Sequence, residues 1–293
     1  MKLSPEGTCV GDRDEIYISD LDGTLLNDGA RLSEFARSHL VRLLAERVRF
    51  TVATARSAQA VRSIFGDLVL HIPIIEQNGA CVTDLATGQR LVTHTLEPEV
   101  ALIVLREFEA FAADPIVACA LPEGDRVFFN LLTNDGARWF IDEKRAANDP
   151  RLAETQDLTT CAATGVLSIT TLASVETVQR LANSLRAALG SRVQIRLGSN
   201  TYTQGYWELS VLNRSATKAQ GILTLRRALG LEHARLVVFG DAENDLDMFQ
   251  HADFRIAVRN AVPELLALAD HVVEANHQDG VIRWLIERFS SYA

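Results

Sequence analysis

At 293 residues, with 47% hydrophobic and 23% charged side chains, the chain has the length for one large or two moderate globular domains and ample material for a core. A net charge of -9 argues against a general nucleic-acid binder, which would carry a basic face, but leaves room for an anionic substrate where a few cations and a metal reverse the local field. The four cysteines (Cys9, Cys81, Cys119, Cys161) form no CxxC pair, and neither a signal-peptide core nor a membrane-length apolar run is present, so a cytoplasmic protein with reduced thiols and no membrane partner is expected.

In chain order, Ile16–Ser19 reads as a short strand running into Asp20-Leu21-Asp22-Gly23-Thr24. Ala36, Leu40, Leu43 and Leu44 then mark one face of a helix that Ser33 is placed to cap. Phe50–Ala53 is a second strand ending at Thr54-Ala55-Arg56, and Ile72–Ile75 a third ending at Gln77-Asn78-Gly79. Strands alternating with helices predict parallel pairing, with the sheet covered on both faces. The middle of the chain changes grammar. Val100, Ile103, Val104, Phe108 and Phe111 form a helical stripe followed by strand patterns near Ile116–Ala120 and Val127–Leu132. Val178, Leu181, Leu185 and Leu189 form another, followed by Val193–Leu197 and Tyr206–Leu212. This predicts an antiparallel sheet with helices on one face, in an α+β domain of residues 85–212 inserted between core segments 1–84 and 213–293. The first grammar then returns: Leu236–Phe239 is a strand stopping at Gly240-Asp241, and Asn244–Phe249 opens a helix. Ile256–Val258 and His271–Val273 are further strands, Pro263 lies near a helix start, and Ile282, Leu285 and Ile286 line the final helix.

The unusual polar residues gather at strand ends: Asp20 and Asp22, Thr54, Asn78, and Asp241 with Asp245. In open parallel sheets that edge is where ligands bind. In an extended segment Asp20 and Asp22 point to the same side, and two carboxylates held together call for a cation or for protonation of one. Magnesium suits such a set, being hard, oxygen-seeking and commonly held by few carboxylates plus substrate phosphate. Gly23 permits a sharp turn that can aim backbone amides at an anion.

DLDGTLL resembles the DxDGT first motif of the haloacid-dehalogenase superfamily. Thr54 in VATAR resembles the second-motif threonine, QNGA at 77–80 a segment of one subgroup, Lys218 in SATKAQGI the third-motif lysine, and GDAENDLDMF the GDxxND fourth motif. Motif order and the inserted middle domain resemble the Cof-like phosphatase subgroup. The fold this implies is α/β: a Rossmann-like parallel-sheet core with an inserted α+β cap of type C2. Two positions depart from the pattern, Ala55 where the second motif has glycine and Ala219 after the lysine, and only small backbone adjustment is expected.

The resemblance implies a magnesium-dependent phosphatase acting on a small phosphorylated metabolite, such as a sugar phosphate, a phosphorylated vitamin or a phosphoglycolate-like acid. In that reading Asp20 is the nucleophile and Asp22 the general acid and base; Mg2+ is held by Asp20, the Asp22 backbone carbonyl and Asp241, with Asp245 orienting its waters. Thr54 and Lys218 hold the phosphoryl oxygens; Asn244 fixes its loop or touches substrate, and Asn78 touches substrate or supplies a left-handed backbone. Arg126, Asn130, Arg196 and Asn200 are candidate substrate contacts in the inserted domain. The alternative is a phosphomutase-type transferase, separable by whether phosphate is released without a sugar bisphosphate. A receiver-type module would need no acid two residues beyond its phosphorylated aspartate. The substrate's identity and the oligomeric state are not written in the sequence.

Overall fold

The computed structural model describes residues 15–199, 203 and 205–290, so Cys9 and Asn200 lie outside the described residues. The chain divides into two compact units, Met1–Val92 with Lys218–Ala293, and Thr93–Thr217.

The first unit opens with β1 (Glu15–Ser19), α1 (Glu34–Ala45), β2 (Phe50–Val52), α2 (Ala58–Phe65), β3 (Ile74–Glu76), β4 (Cys81–Thr83) and β5 (Arg90–Thr93). Ser33 and Ser57 cap α1 and α2, each hydroxyl accepting a backbone N–H three residues on and so satisfying a donor that the first turn leaves free.

The second unit contains α3 (Pro98–Ala110), β6 (Ile116–Cys119), β7 (Arg126–Phe129), α4 (Asp135–Ala146), β8 (Leu152–Glu154), β9 (Val166–Ala173), α5 (Val175–Leu189), β10 (Val193–Ser199) and β11 (Trp207–Asn213). The chain then completes the first unit with α6 (Lys218–Ala228), β12 (Arg235–Gly240), α7 (Leu246–Gln250), β13 (Phe254–Val258), α8 (Pro263–Leu268), β14 (His271–Val273) and α9 (Gly280–Ser290).

The main sheet of the first unit has the order β14-β13-β12-β1-β2, parallel throughout. All five residues of β1 are buried, as a strand covered on both faces requires. β3 departs from the expected parallel ladder. It touches β2 through one parallel bridge, Ala53 to Ile75, and otherwise pairs antiparallel with β4 in a small β3-β4-β5 sheet. That sheet keeps the chain with the first unit as far as Val92, eight residues beyond the sequence-read join.

The second unit is a six-stranded sheet, β10-β11-β9-β6-β7-β8, antiparallel except for the parallel β7–β8 pair. Three of its elements, α4, β8 and β9, have no counterpart in the sequence reading. β9, running through the middle of the sheet, was not foreseen, although VLSITTLA is rich in β-branched residues. The helices also do not share one face. Val117 and Cys119 pack with residues of α3 and α5, whereas the alternate residue Ile116 packs with Val127, Phe129, Ala137 and Ile141, placing α4 on the opposite side. Of the candidate contacts here, Arg126 opens β7, Asn130 follows it, and Arg196 lies on β10; all are half-buried. Among the described residues no helix is long and apolar enough to cross a membrane.

Candidate active site

Every residue of this site lies in the first unit. Asp20 stands at the carboxyl end of β1, and its N–H continues the ladder by donating to the Phe239 carbonyl at 2.9 Å. The chain then leaves the strand in a wide turn closed by the Leu26 N–H on the Leu21 carbonyl at 2.8 Å, with Asp22 at φ -74°, ψ 123° and Gly23 at φ 77°. Glycine is required there twice over: its φ is left-handed, and a Cβ would lie 2.2 Å from the Asp241 carboxylate.

Because the strand ends before Asp22, the two-residue alternation does not carry through, and the two acids take different partners. Asp20 Oδ1 accepts from Lys218 Nζ at 2.6 Å, whereas Asp22 accepts a two-pronged pair from Arg56 at 2.8 and 2.6 Å. Each acid thus has a protein cation beside it, Lys218 for Asp20 and Arg56 for Asp22.

Lys218 is fully buried at the start of α6 and also donates to Asp245 Oδ1 at 2.5 Å. The helix comes this close because Gly221 faces β3: a Cβ there would meet Ile75 at 2.5 Å. Asp245 in turn accepts from the N–H groups of Asp241 and Ala242 at 2.9 and 3.1 Å, which shapes the loop after β12. Thr24 donates to Asp241 Oδ1 at 2.7 Å, tying the turn to that loop.

Thr54 is buried and accepts the Arg56 N–H at 3.1 Å, while Ser57 caps the helix that follows. Asn78 has φ 53°, accepts Asn244 Nδ2 at 3.3 Å and donates its N–H to the Thr54 carbonyl at 2.8 Å. Asn78 thus takes the left-handed backbone, and its side chain ties that segment to the Asn244 loop. The two departures from the family pattern are accommodated: neither Ala55 nor Ala219 has a left-handed backbone that would demand glycine. The sequence reading left Arg56 and Thr24 without roles; their signal was proximity in sequence to Thr54 and Asp22.

One carboxylate oxygen from each of Asp20, Asp241 and Asp245 lies within 4.8 Å of the others. Burial, reinforced by Asp245, Asp241 and Asp22, pushes the Asp20 carboxyl well above its usual range against the pull of Lys218. Burial and then Asp245 push Asp241 up to about 7, against the Thr24 hydroxyl and Lys218. Burial alone would depress Lys218, but Asp20 and Asp245 outweigh it and hold the ammonium above its ordinary value. Among the described residues, four carboxylates thus meet two cations, Lys218 and Arg56; fully ionised, the cluster would carry an excess of two negative charges, which is why the protonated forms of Asp20 and Asp241 are favoured in the absence of a metal. Hard oxygen donors in a buried, under-compensated cluster fit a magnesium ion.

The chain matches the family model described as haloacid dehalogenase-like hydrolase over residues 17–285. It is 27% identical to the 5-amino-6-(5-phospho-D-ribitylamino)uracil phosphatase of Bacillus subtilis, covering 92% of this chain and 96% of that one. It is 26% identical to the HMP-PP phosphatase of Cronobacter sakazakii, covering 88% and 89%. The fold is shared with a haloacid dehalogenase-like hydrolase structure from Bacteroides thetaiotaomicron at a TM-score of 0.76, 19% identity, and coverage of 94% and 99%. A family match over nearly the whole chain and a solved structure with the same fold agree: the chain belongs to the haloacid dehalogenase-like hydrolases.

Proposed function

We propose that the chain is a magnesium-dependent phosphatase that removes a phosphoryl group from a small phosphorylated metabolite through an aspartyl-phosphate at Asp20. The observation that carries this reading is the placement of Asp20. It is a buried carboxylate at a strand end, bonded to a buried lysine and within 4.8 Å of Asp241 and Asp245. The relatives named above are phosphatases of small phosphorylated compounds, which supports the substrate class.

In this mechanism a carboxylate oxygen of Asp20 attacks phosphorus, dividing one difficult displacement into two easier ones. Asp22, once released from Arg56 and protonated from solvent, gives that proton to the departing oxygen and later takes one from the water that cleaves the acyl phosphate. Lys218 stabilises Asp20 and, with Thr54, offers donors to the phosphoryl oxygens as their charge develops. Asp20, the Asp22 carbonyl and Asp241 would hold the magnesium and Asp245 would orient its waters; the ion, when bound, neutralises phosphoryl charge.

The test is release of inorganic phosphate from an aryl phosphate and from a panel of metabolite phosphates. Release should require magnesium and no sugar bisphosphate activator; full activity in excess chelator would remove the metal role. Asp22→Asn should cost an alkyl phosphate about 10²–10⁴-fold in kcat and an aryl phosphate far less, because a phenolate departs with little protonation. Equal losses would argue against Asp22 as the acid.

The raised Asp241 carboxyl gives a second check, independent of turnover. Folded, it holds its proton up to about pH 7, whereas its ordinary value is 3.8. In metal-free protein its contribution to stability is therefore largest at low pH and declines as pH rises from about 4 to about 7. Magnesium competes with that proton, so the rise in Tm on adding magnesium should grow from pH 5.5 to pH 8, roughly the window that straddles this titration. A magnesium shift independent of pH would contradict the assignment.

A further inference from the structure

The turn that carries Asp22 is held from outside by two asparagines near the other end of the chain. Asn260, in the loop between β13 and α8, donates Nδ2–H to the Gly23 carbonyl at 2.7 Å. Its Oδ1 accepts the Asn276 backbone N–H at 2.9 Å. Asn276, which is buried, donates its own Nδ2 to the Leu26 carbonyl at 2.9 Å and to Asp28 at 3.1 Å. The amide orientations follow from chemistry, since backbone carbonyls only accept and the backbone N–H only donates. Gly23 and Leu26 lie within or just after the non-helical turn, whose irregular φ/ψ leave such carbonyls in need of external donors.

The same loop reaches the metal-facing side. Val262, two residues after Asn260, donates its N–H to the Asp241 carbonyl at 2.8 Å, and Thr24 within the turn donates to the Asp241 carboxylate at 2.7 Å. One short segment, 260–262, therefore grips both the Asp22–Gly23 turn and Asp241. We propose that Asn260 and Asn276 are positioning residues that set the spacing between the Asp20–Asp22 turn and Asp241, and thereby aim Asp22 at the leaving group. The proposal rests on the phosphatase reading.

Asn260→Asp isolates the claim. The carboxylate keeps the size and the acceptor for Asn276 but cannot donate to Gly23, and the site is exposed enough that folding should survive. The expected result is a fall in kcat of about 10- to 100-fold for an alkyl phosphate, with a smaller loss for an aryl phosphate and little change in KM. Hydrogen exchange at the amides of residues 21–26 should accelerate about 10-fold while core-strand amides are unchanged. Asn276→Asp removes the donor to Leu26 but also sets a buried carboxylate against Asp28, so it should accelerate exchange in the same turn and lower global stability as well. Wild-type exchange in the turn, or equal losses on both esters, would overturn the clamp. A wild type that releases no phosphate under any metal condition would instead overturn the phosphatase reading, and the exchange measurement would still decide whether the clamp exists.

Discussion

Asp20→Asn is expected to lower kcat for phosphate release by at least about 10⁴-fold, the scale seen when a covalent nucleophile is removed. The amide is isosteric with the carboxylate and keeps an acceptor for Lys218, so binding of substrate and folding should be retained. Metal-free stability should rise or hold. Burial and the three neighbouring acids all disfavour the charged form of Asp20, and neutralising it relieves that repulsion while Lys218 keeps Asp245 as its partner. Greater stability with lost turnover would mark a site whose charge is kept for chemistry at the expense of the fold. A variant that keeps a tenth or more of the activity would remove Asp20 as nucleophile.

The second large effect concerns Lys218. It is wholly buried and is a hydrogen-bond donor to two buried carboxylates, at 2.6 and 2.5 Å. Lys218→Met keeps much of the volume but leaves Asp20 and Asp245 facing each other without their cation, and breaking one side of such a buried network costs about 3–5 kcal/mol. Denaturant unfolding in chelator should show that loss. It should be largest at high pH, because without Lys218 the Asp20 carboxyl is pushed still further up and can take a proton as pH falls. Magnesium should recover part of the stability by supplying positive charge to the same oxygens, while activity stays low because the phosphoryl-oxygen donor is gone. A loss below about 1 kcal/mol would mean the ammonium is not a structural counter-ion.

Much of the first unit was legible because hydrophobic patterning is local. Ile16–Ser19 and Leu236–Phe239 are short, largely apolar runs of the length a strand buried on both faces uses, and they pair in register as β1 and β12. The second unit was less legible. The VLSITTLA segment mixes Ser and Thr among its apolar residues, so β9 gave no clean alternation, and α4, whose buried residues are only Gly136, Ala137 and Ile141, offered few apolar positions to read. The site was readable as a set of residue types at strand ends, since acids placed after apolar runs stand out. Its wiring was not. Nothing in DLDGTLL announces that Asp22 will pair with Arg56, or that Gly23 will take its carbonyl's donor from a residue 237 positions away.

The sequence by itself therefore determined which groups are present and which strand each follows: the acids, the hydroxyl and the ammonium, and the glycine that lets Asp241 approach. Only the tertiary structure decided how charge is shared among them, sending Asp20 to Lys218 and Asp22 to Arg56 and leaving Asp241 under-compensated. The physical reason is range. Burial patterns act over a few residues and are written along the chain, whereas the pairing of these charges depends on distances of a few ångströms between segments 34 residues apart for Asp22 and Arg56 and 198 for Asp20 and Lys218, which exist only once the sheet has closed.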